Sequence, residues 1–134
     1  MKRNSEILIY NFTEDKISQK FLRETVEKIL RYLKKPAKPI SLILLPSLEI
    51  KKLNDYWRGK KKETTVLTFS ESDIFLCPEE IKQQALKRKI SQKKFYQLLL
   101  VHSILHLFDY THDGKKDTKI MERLEAKILH SLKN

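Results

Sequence analysis

The run ISQKFLRETVEKILRYL, residues 17–33, places apolar Phe21, Leu22, Val26, Ile29, Leu30 and Leu33 at three- and four-residue intervals, the spacing of one helix face. The preceding EILIYNFT alternates loosely and predicts a strand. KKPAKP ends the helix, because proline lacks an amide donor and disfavours helix in the residue before it. ISLILL then predicts a buried strand, and Ser47 opens a second helix, SLEIKKLNDYW. Beyond the basic loop RGKKKE, the short β-branched and aromatic runs TTVLTF and DIFLC, separated by SES, predict neighbouring strands. Pro78 with Glu79 and Glu80 opens a third helix, since proline suits the first helical position and carboxylates its positive end. Ser91 caps a fourth, SQKKFYQLLLVHSILHLF, which is apolar nearly all round from Leu98 to Leu107 and is therefore expected as the buried central helix, its histidines in the interior wall. After the loop DYTHDGKKD, a last helix from Thr118 is expected to turn Ile120, Met121, Leu124, Ile128 and Leu129 inward. The order βαβαββααα predicts a single α+β domain over residues 1–134, a small mixed β-sheet packed with about five helices, three of them gathered at the C-terminal end.

Composition narrows the function classes. With 134 residues, the chain is the size of one compact domain. No apolar run approaches the ~18 residues a membrane span needs, so a cytoplasmic protein without a membrane partner is expected. Cys77 is the one cysteine, which rules out an intrachain disulfide and a thiolate cluster; any metal must rely on histidine and oxygen. The formal charge of +11 points to a polyanionic partner, above all nucleic acid. Basic residues bunch at Lys34, Lys35 and Lys38, at Arg58 with Lys60, Lys61 and Lys62, along residues 87–89, at Lys93 and Lys94, and at Lys115 and Lys116.

LLLVHSILHLFDYTHD holds three of the four histidines. On a helix His102 and His106 lie one turn apart and project from one face, so both imidazoles reach a common ion at ~2.0–2.1 Å. His112 lies six residues further and joins them only if the chain turns back, for which Asp109 is suited because aspartate tolerates a left-handed conformation. A lone histidine on an apolar face is ordinarily a hydrogen-bonded core residue. Three at this spacing favour one metal ion per chain, because burying several imidazoles without a charge partner is costly. Three histidines leave zinc one open position, the arrangement of a catalytic site. The spacing H-x3-H-x5-H also occurs in metzincin proteases, but their general base directly follows the first histidine, and here that residue is Ser103.

HSILHLFDYTH resembles the signature HGxLHLxGYDH of the YbeY family of endoribonucleases: both histidine intervals match, as do Leu105, Leu107 and Tyr110. NDYWRGKKKETTVLTF, residues 54–69, is similar to a second family segment, an asparagine and an aromatic-arginine pair followed by TDVLSF, and DIFLC is similar to the family strand that begins GDI. Ser103 and Asp109 stand where that signature has glycine and Thr111 where it has aspartate; Thr65 and Thr68 replace the aspartate and serine of TDVLSF. The resemblance implies a zincin-like metal site on the central C-terminal helix, with Zn2+ held by His102, His106 and His112. It also implies a metal-dependent endoribonuclease that cuts single-stranded RNA, with rRNA and the ribosome as partners in 16S rRNA 3′-end maturation and ribosome quality control. Arg58 then becomes a catalytic candidate, since a guanidinium grips two phosphate oxygens and opposes charge that develops in the transition state. Lys60, Lys61, Lys62, Lys115 and Lys116 are candidate RNA-binding residues. The rival readings are a non-catalytic RNA- or ribosome-binding factor with a structural zinc, and a metal-dependent peptidase.

Overall fold

The structure is a computed structural model that describes residues 6–35, 38–58, 66–68, 72–108, 110 and 114–133, with only the backbone for 54–58 and 66–68. Four strands form one sheet: β1 (Ile7–Asn11), β2 (Ile40–Leu44), β3 (Val66–Thr68) and β4 (Asp73–Leu76), in the spatial order β1-β2-β4-β3. β1, β2 and β4 run parallel, with Ile7 opposite Ile40 and Leu42 opposite Ile74, while β3 pairs antiparallel with β4. Five helices accompany the sheet among the described residues: α1 (Gln19–Leu33), α2 (Ser47–Arg58), α3 (Pro78–Arg88), α4 (Gln92–Leu107) and α5 (Lys115–Ser131). The expected order βαβαββααα is the order found, and the class is α+β with a small mixed sheet.

Alternation along the strands sends Ile7, Ile40, Leu42, Leu44, Ile74 and Leu76 to one face, where they meet Leu22, Val26 and Ile29 of α1 and the buried side of α4. On the opposite face Ile50 of α2 is buried with Cys77, against Leu45, Leu53 and Phe75. Phe95, Tyr96, Leu100, Val101, Ile104, Leu105 and Leu107 bury α4 against the sheet and its neighbouring helices. Each such aliphatic side chain contributes roughly 1.5–3 kcal/mol, so this helix anchors the fold.

The helix ends follow local chemistry. Ser18 and Ser91 cap α1 and α4, their hydroxyls accepting from the amides of Phe21 and Lys94 at 3.0 Å each. α1 and α3 end on left-handed Lys34 (φ 55°) and Lys89 (φ 57°), so α1 stops ahead of Pro36. α5 differs from expectation. It starts at Lys115, not Thr118, behind Gly114 at φ 91°, and the Thr118 hydroxyl donates to the Gly114 carbonyl at 2.8 Å. Its inner face is Met121, Leu124, Ile128 and Leu129, with Leu132 buried just beyond it; Ile120, expected inside, is 44% exposed, because it lies one residue, about 100°, off the stripe begun by Met121.

Candidate metal centre

α4 and α5 build the site between them. His102 and His106, one turn apart on α4, bring their Nε2 atoms to 3.1 Å with ring centroids 4.6 Å apart. On the far side of the His102 ring, Nδ1 lies 2.7 Å from Oε2 of Glu125 on α5. The carboxylate has only acceptor oxygens when ionised, so Nδ1–H donates to it and fixes the His102 tautomer. In neutral His102 this leaves Nε2 with a lone pair directed at His106, whose Nε2–H donates into it. Two imidazoles cannot both keep lone pairs at that separation without a proton or a cation between them.

The donor set suits a divalent transition metal. Two nitrogens sharing one tetrahedral ion at ~2.0–2.1 Å stand about 3.3 Å apart, close to the separation of the Nε2 pair. A carboxylate behind the distal nitrogen is the customary support of a metal-binding imidazole, since it orients the ring and raises its basicity. Among the described residues no group of three His, Cys, Asp or Glu side chains assembles around a common point. His112, the expected third ligand, lies outside the described residues.

The backbone nevertheless turns back after α4. The Tyr110 amide donates to the Leu105 carbonyl at 3.0 Å, the six-to-one bond of a reversing helix terminus, and the Tyr110 ring packs on the core. Lys38, just before β2, donates to the Leu107 carbonyl at 3.1 Å and lies over the Phe108 ring at 4.7 Å; Lys35 lies 5.8 Å from the centroid of the Tyr110 ring. Two cations thus attend the negative end of α4.

His106 is exposed and His102 half-buried, so the pair stands at the molecular surface instead of in the interior wall expected for it. The helix is central, but Leu99, His102 and His106 lie along a stripe of it that stays open to solvent, while Leu105 and Leu107 of its last turn are buried. Arg58 is the final residue of α2, its side chain outside the described atoms; Lys60, Lys61 and Lys62 also fall outside them. Lys115 and Lys116, assigned by pattern to a loop, are exposed in the first turn of α5. Ser103 is 1% exposed, so the position that would carry a protease's base is packed in the core. Pattern reading missed Glu125, yet its signal was present: it sits four residues after Met121 and three before Ile128, a carboxylate in the stripe that faces inward.

Comparison with known proteins fits this architecture. In the solution structure of TM1509 from Thermotoga maritima, a chain 28% identical in sequence superposes with a TM-score of 0.70, covering 92% of this chain and 87% of that one. Among curated proteins, the endoribonuclease YbeY of Sulfurihydrogenibium sp. is 35% identical over 87% of this chain and 84% of its own length. That of Buchnera aphidicola subsp. Schizaphis graminum is 32% identical over 84% of this chain and 78% of its own. A family model described as endoribonuclease YbeY matches residues 8–133, and with nearly the whole chain so accounted for, the protein belongs to the YbeY family.

Proposed function

We propose that the chain is a zinc-dependent endoribonuclease that cuts single-stranded RNA in the cytoplasm, acting at the 16S rRNA 3′ end and in ribosome quality control. The observation that supports this reading is the Nε2 pair of His102 and His106 with Glu125 behind it, a donor set that suits a cation in a basic chain. His102, His106 and His112 are the proposed ligands. A zinc ion held there would supply Lewis-acid stabilisation of a phosphodiester and lower the pKa of a bound water. Glu125 holds the Nδ1 proton and keeps the His102 lone pair turned outward. Arg58 grips the phosphate by two of its N–H groups, and Lys35, Lys38, Lys115 and Lys116, with Lys60, Lys61 and Lys62, draw the RNA backbone in.

Elemental analysis of purified protein, joined to cleavage assays on single-stranded and duplex RNA, tests the proposal. One zinc per chain, cleavage lost on chelation and restored by zinc, and loss of both metal and cleavage in His106→Ala are the expected results. Full metal content in His106→Ala at unchanged affinity sinks the ligand assignment. Stoichiometric zinc without any cleavage turns the reading to an RNA-binding factor with a structural metal. Arg58→Lys separates catalysis from attraction: turnover at saturating RNA should fall far more than affinity, to which many lysines contribute.

A further inference from the structure

The parallel strands have two ends, and His102 and His106 attend one of them. Lys38 and the Leu107 carbonyl meet beside the start of β2, so the metal centre lies toward the amino ends of the strands. At the carboxyl ends of β1, β2 and β4 the segments that leave the sheet enclose a cleft of about 580 Å3, lined by Phe12, Leu45, Pro46 and Pro78 and rimmed by Glu14, Asp15, Glu79 and Lys82. Its volume falls within the ~300–1,000 Å3 range of ligand clefts.

Three features suit this cleft to docking. The first is exposed apolar surface: Phe12 is 63% exposed, and Tyr10 and Leu8, which follow it back along the same face of β1, are 45% and 43% exposed. The Tyr10 and Phe12 rings lie within 8° of parallel with centroids 6.5 Å apart, a continuous aromatic strip running into the cleft. The second is a braced wall. The Asn11 carboxamide accepts from the Thr13 amide at 2.9 Å and donates to the Asp15 carbonyl at 2.9 Å, while the Asp15 carboxylate accepts from the Ile17 amide at 2.9 Å. These local bonds hold residues 11–17 in one shape before any partner arrives.

The third is charge. In a chain of net +11, three carboxylates gather here against one ammonium among the described residues. Phosphates are repelled from such a rim. We propose that this groove binds a basic peptide segment of a protein partner, an apolar or aromatic side chain seated against Phe12, Leu45 and Pro46 while its lysines or arginines pair with Glu14, Asp15 and Glu79. RNA at one end of the sheet and a cationic protein segment at the other would then be held together by one small domain.

Panning a phage-displayed random dodecapeptide library against the biotinylated full chain tests this with no partner chosen in advance. Enriched peptides should carry net positive charge and at least one large apolar residue. Their affinity, read by fluorescence anisotropy, should fall at least tenfold for Phe12→Ser and for Glu14→Lys combined with Glu79→Lys. All three side chains are exposed, so the fold should persist, as circular dichroism can check, and RNA cleavage should remain at the parent rate. No enrichment, acidic or uncharged winners, or unchanged affinity in both variants overturns the proposal. Displacement of the peptide by oligouridylate makes the groove an RNA site and also overturns it. So does dimerisation in sedimentation experiments that Phe12→Ser abolishes, which would make the occupant a second copy of the chain.

Discussion

The 2.7 Å bond that Glu125 accepts from His102 Nδ1 makes a sharp expectation. Glu125→Gln keeps the length of the side chain but replaces a charged acceptor with a neutral one, so His102 becomes less basic toward a metal. Zinc affinity, measured by competition with a chromogenic chelator, should fall roughly 10- to 100-fold with the fold intact. Unchanged affinity would mean that the carboxylate only fills space. The Tyr96 hydroxyl poses the opposite case: buried, it meets no hydrogen-bond partner among the described residues. Burial first, and then the charges of Asp15 and Cys77, push the phenol well above the ordinary tyrosine value, and burial likewise pushes the Cys77 thiol up. Above the ordinary values of ~8.5 for Cys and ~10 for Tyr, the unfolded chain therefore loses these protons first, and stability falls as pH rises. Tyr96→Phe removes the unpaired hydroxyl and should stabilise by about 1 kcal/mol at neutral pH, and should flatten the decline above pH ~10. Urea titrations of both proteins from neutral to alkaline pH check the two effects together; parallel curves would show that folding leaves the titration of the phenol unchanged and overturn the second effect.

Two of the five helices end on a left-handed lysine, a conformation that costs a residue with a Cβ roughly 1 kcal/mol or more. Lys89→Gly should relieve that strain and raise stability by about 0.5–1 kcal/mol, read from the urea midpoint at unchanged slope. Lys89 ends α3 close to the start of α4, so a destabilised variant would instead show that its stem packs there. Such ends also explain what was legible in the sequence. Ser91 and Pro78 announce their helices because each satisfies or removes an orphan amide locally, and the structure uses both; α1 was announced by its apolar spacing, and its cap, Ser18, emerges only in the structure. The start of α5 was hidden because Lys115 and Lys116 oppose the helix dipole; Gly114, Asp117 and the burial of Met121 and Ile128 carry the helix back through them. Glu125 was hidden for a related reason. Apolar periodicity treats a charge as a mark of the outer face, whereas this one faces inward because a histidine on another helix, 23 residues away, meets it. The histidine spacing itself was readable, since one helical turn suffices to pair His102 with His106, but which stripe of the nearly all-apolar α4 stays open to solvent depends on how the other elements pack around it.

At the scale of the whole molecule, charge is distributed and not merely in excess. Lys35 and Lys38 lie over the rings of Tyr110 and Phe108 beside the last turn of α4, whereas Lys82 sits among carboxylates at the opposite end of the sheet. If RNA reaches the histidines from the basic end, each phosphate met by a lysine there releases condensed counterions, and affinity must fall as salt competes. For single strands the logarithmic slope is about −0.7 per phosphate. Contact with about five phosphates therefore weakens binding on the order of 100-fold between 50 and 200 mM salt. The position of those contacts is the stronger expectation. Lys35→Glu combined with Lys38→Glu should lower affinity for single-stranded RNA and reduce the slope by about 1.4, the share of two phosphates, whereas Lys82→Glu should leave both unchanged. Reversing charge at the α4 terminus also removes the Lys38 bond to the Leu107 carbonyl, so Lys38→Gln serves as a partner variant that lowers the charge without adding a carboxylate there. Fluorescence anisotropy with a labelled oligonucleotide across a salt series measures every one of these quantities. A slope that responds equally to Lys82 and to the Lys35–Lys38 pair would mean that the net charge attracts RNA without guiding it, and the proposed approach to the histidine pair from the amino ends of the strands would have to be abandoned.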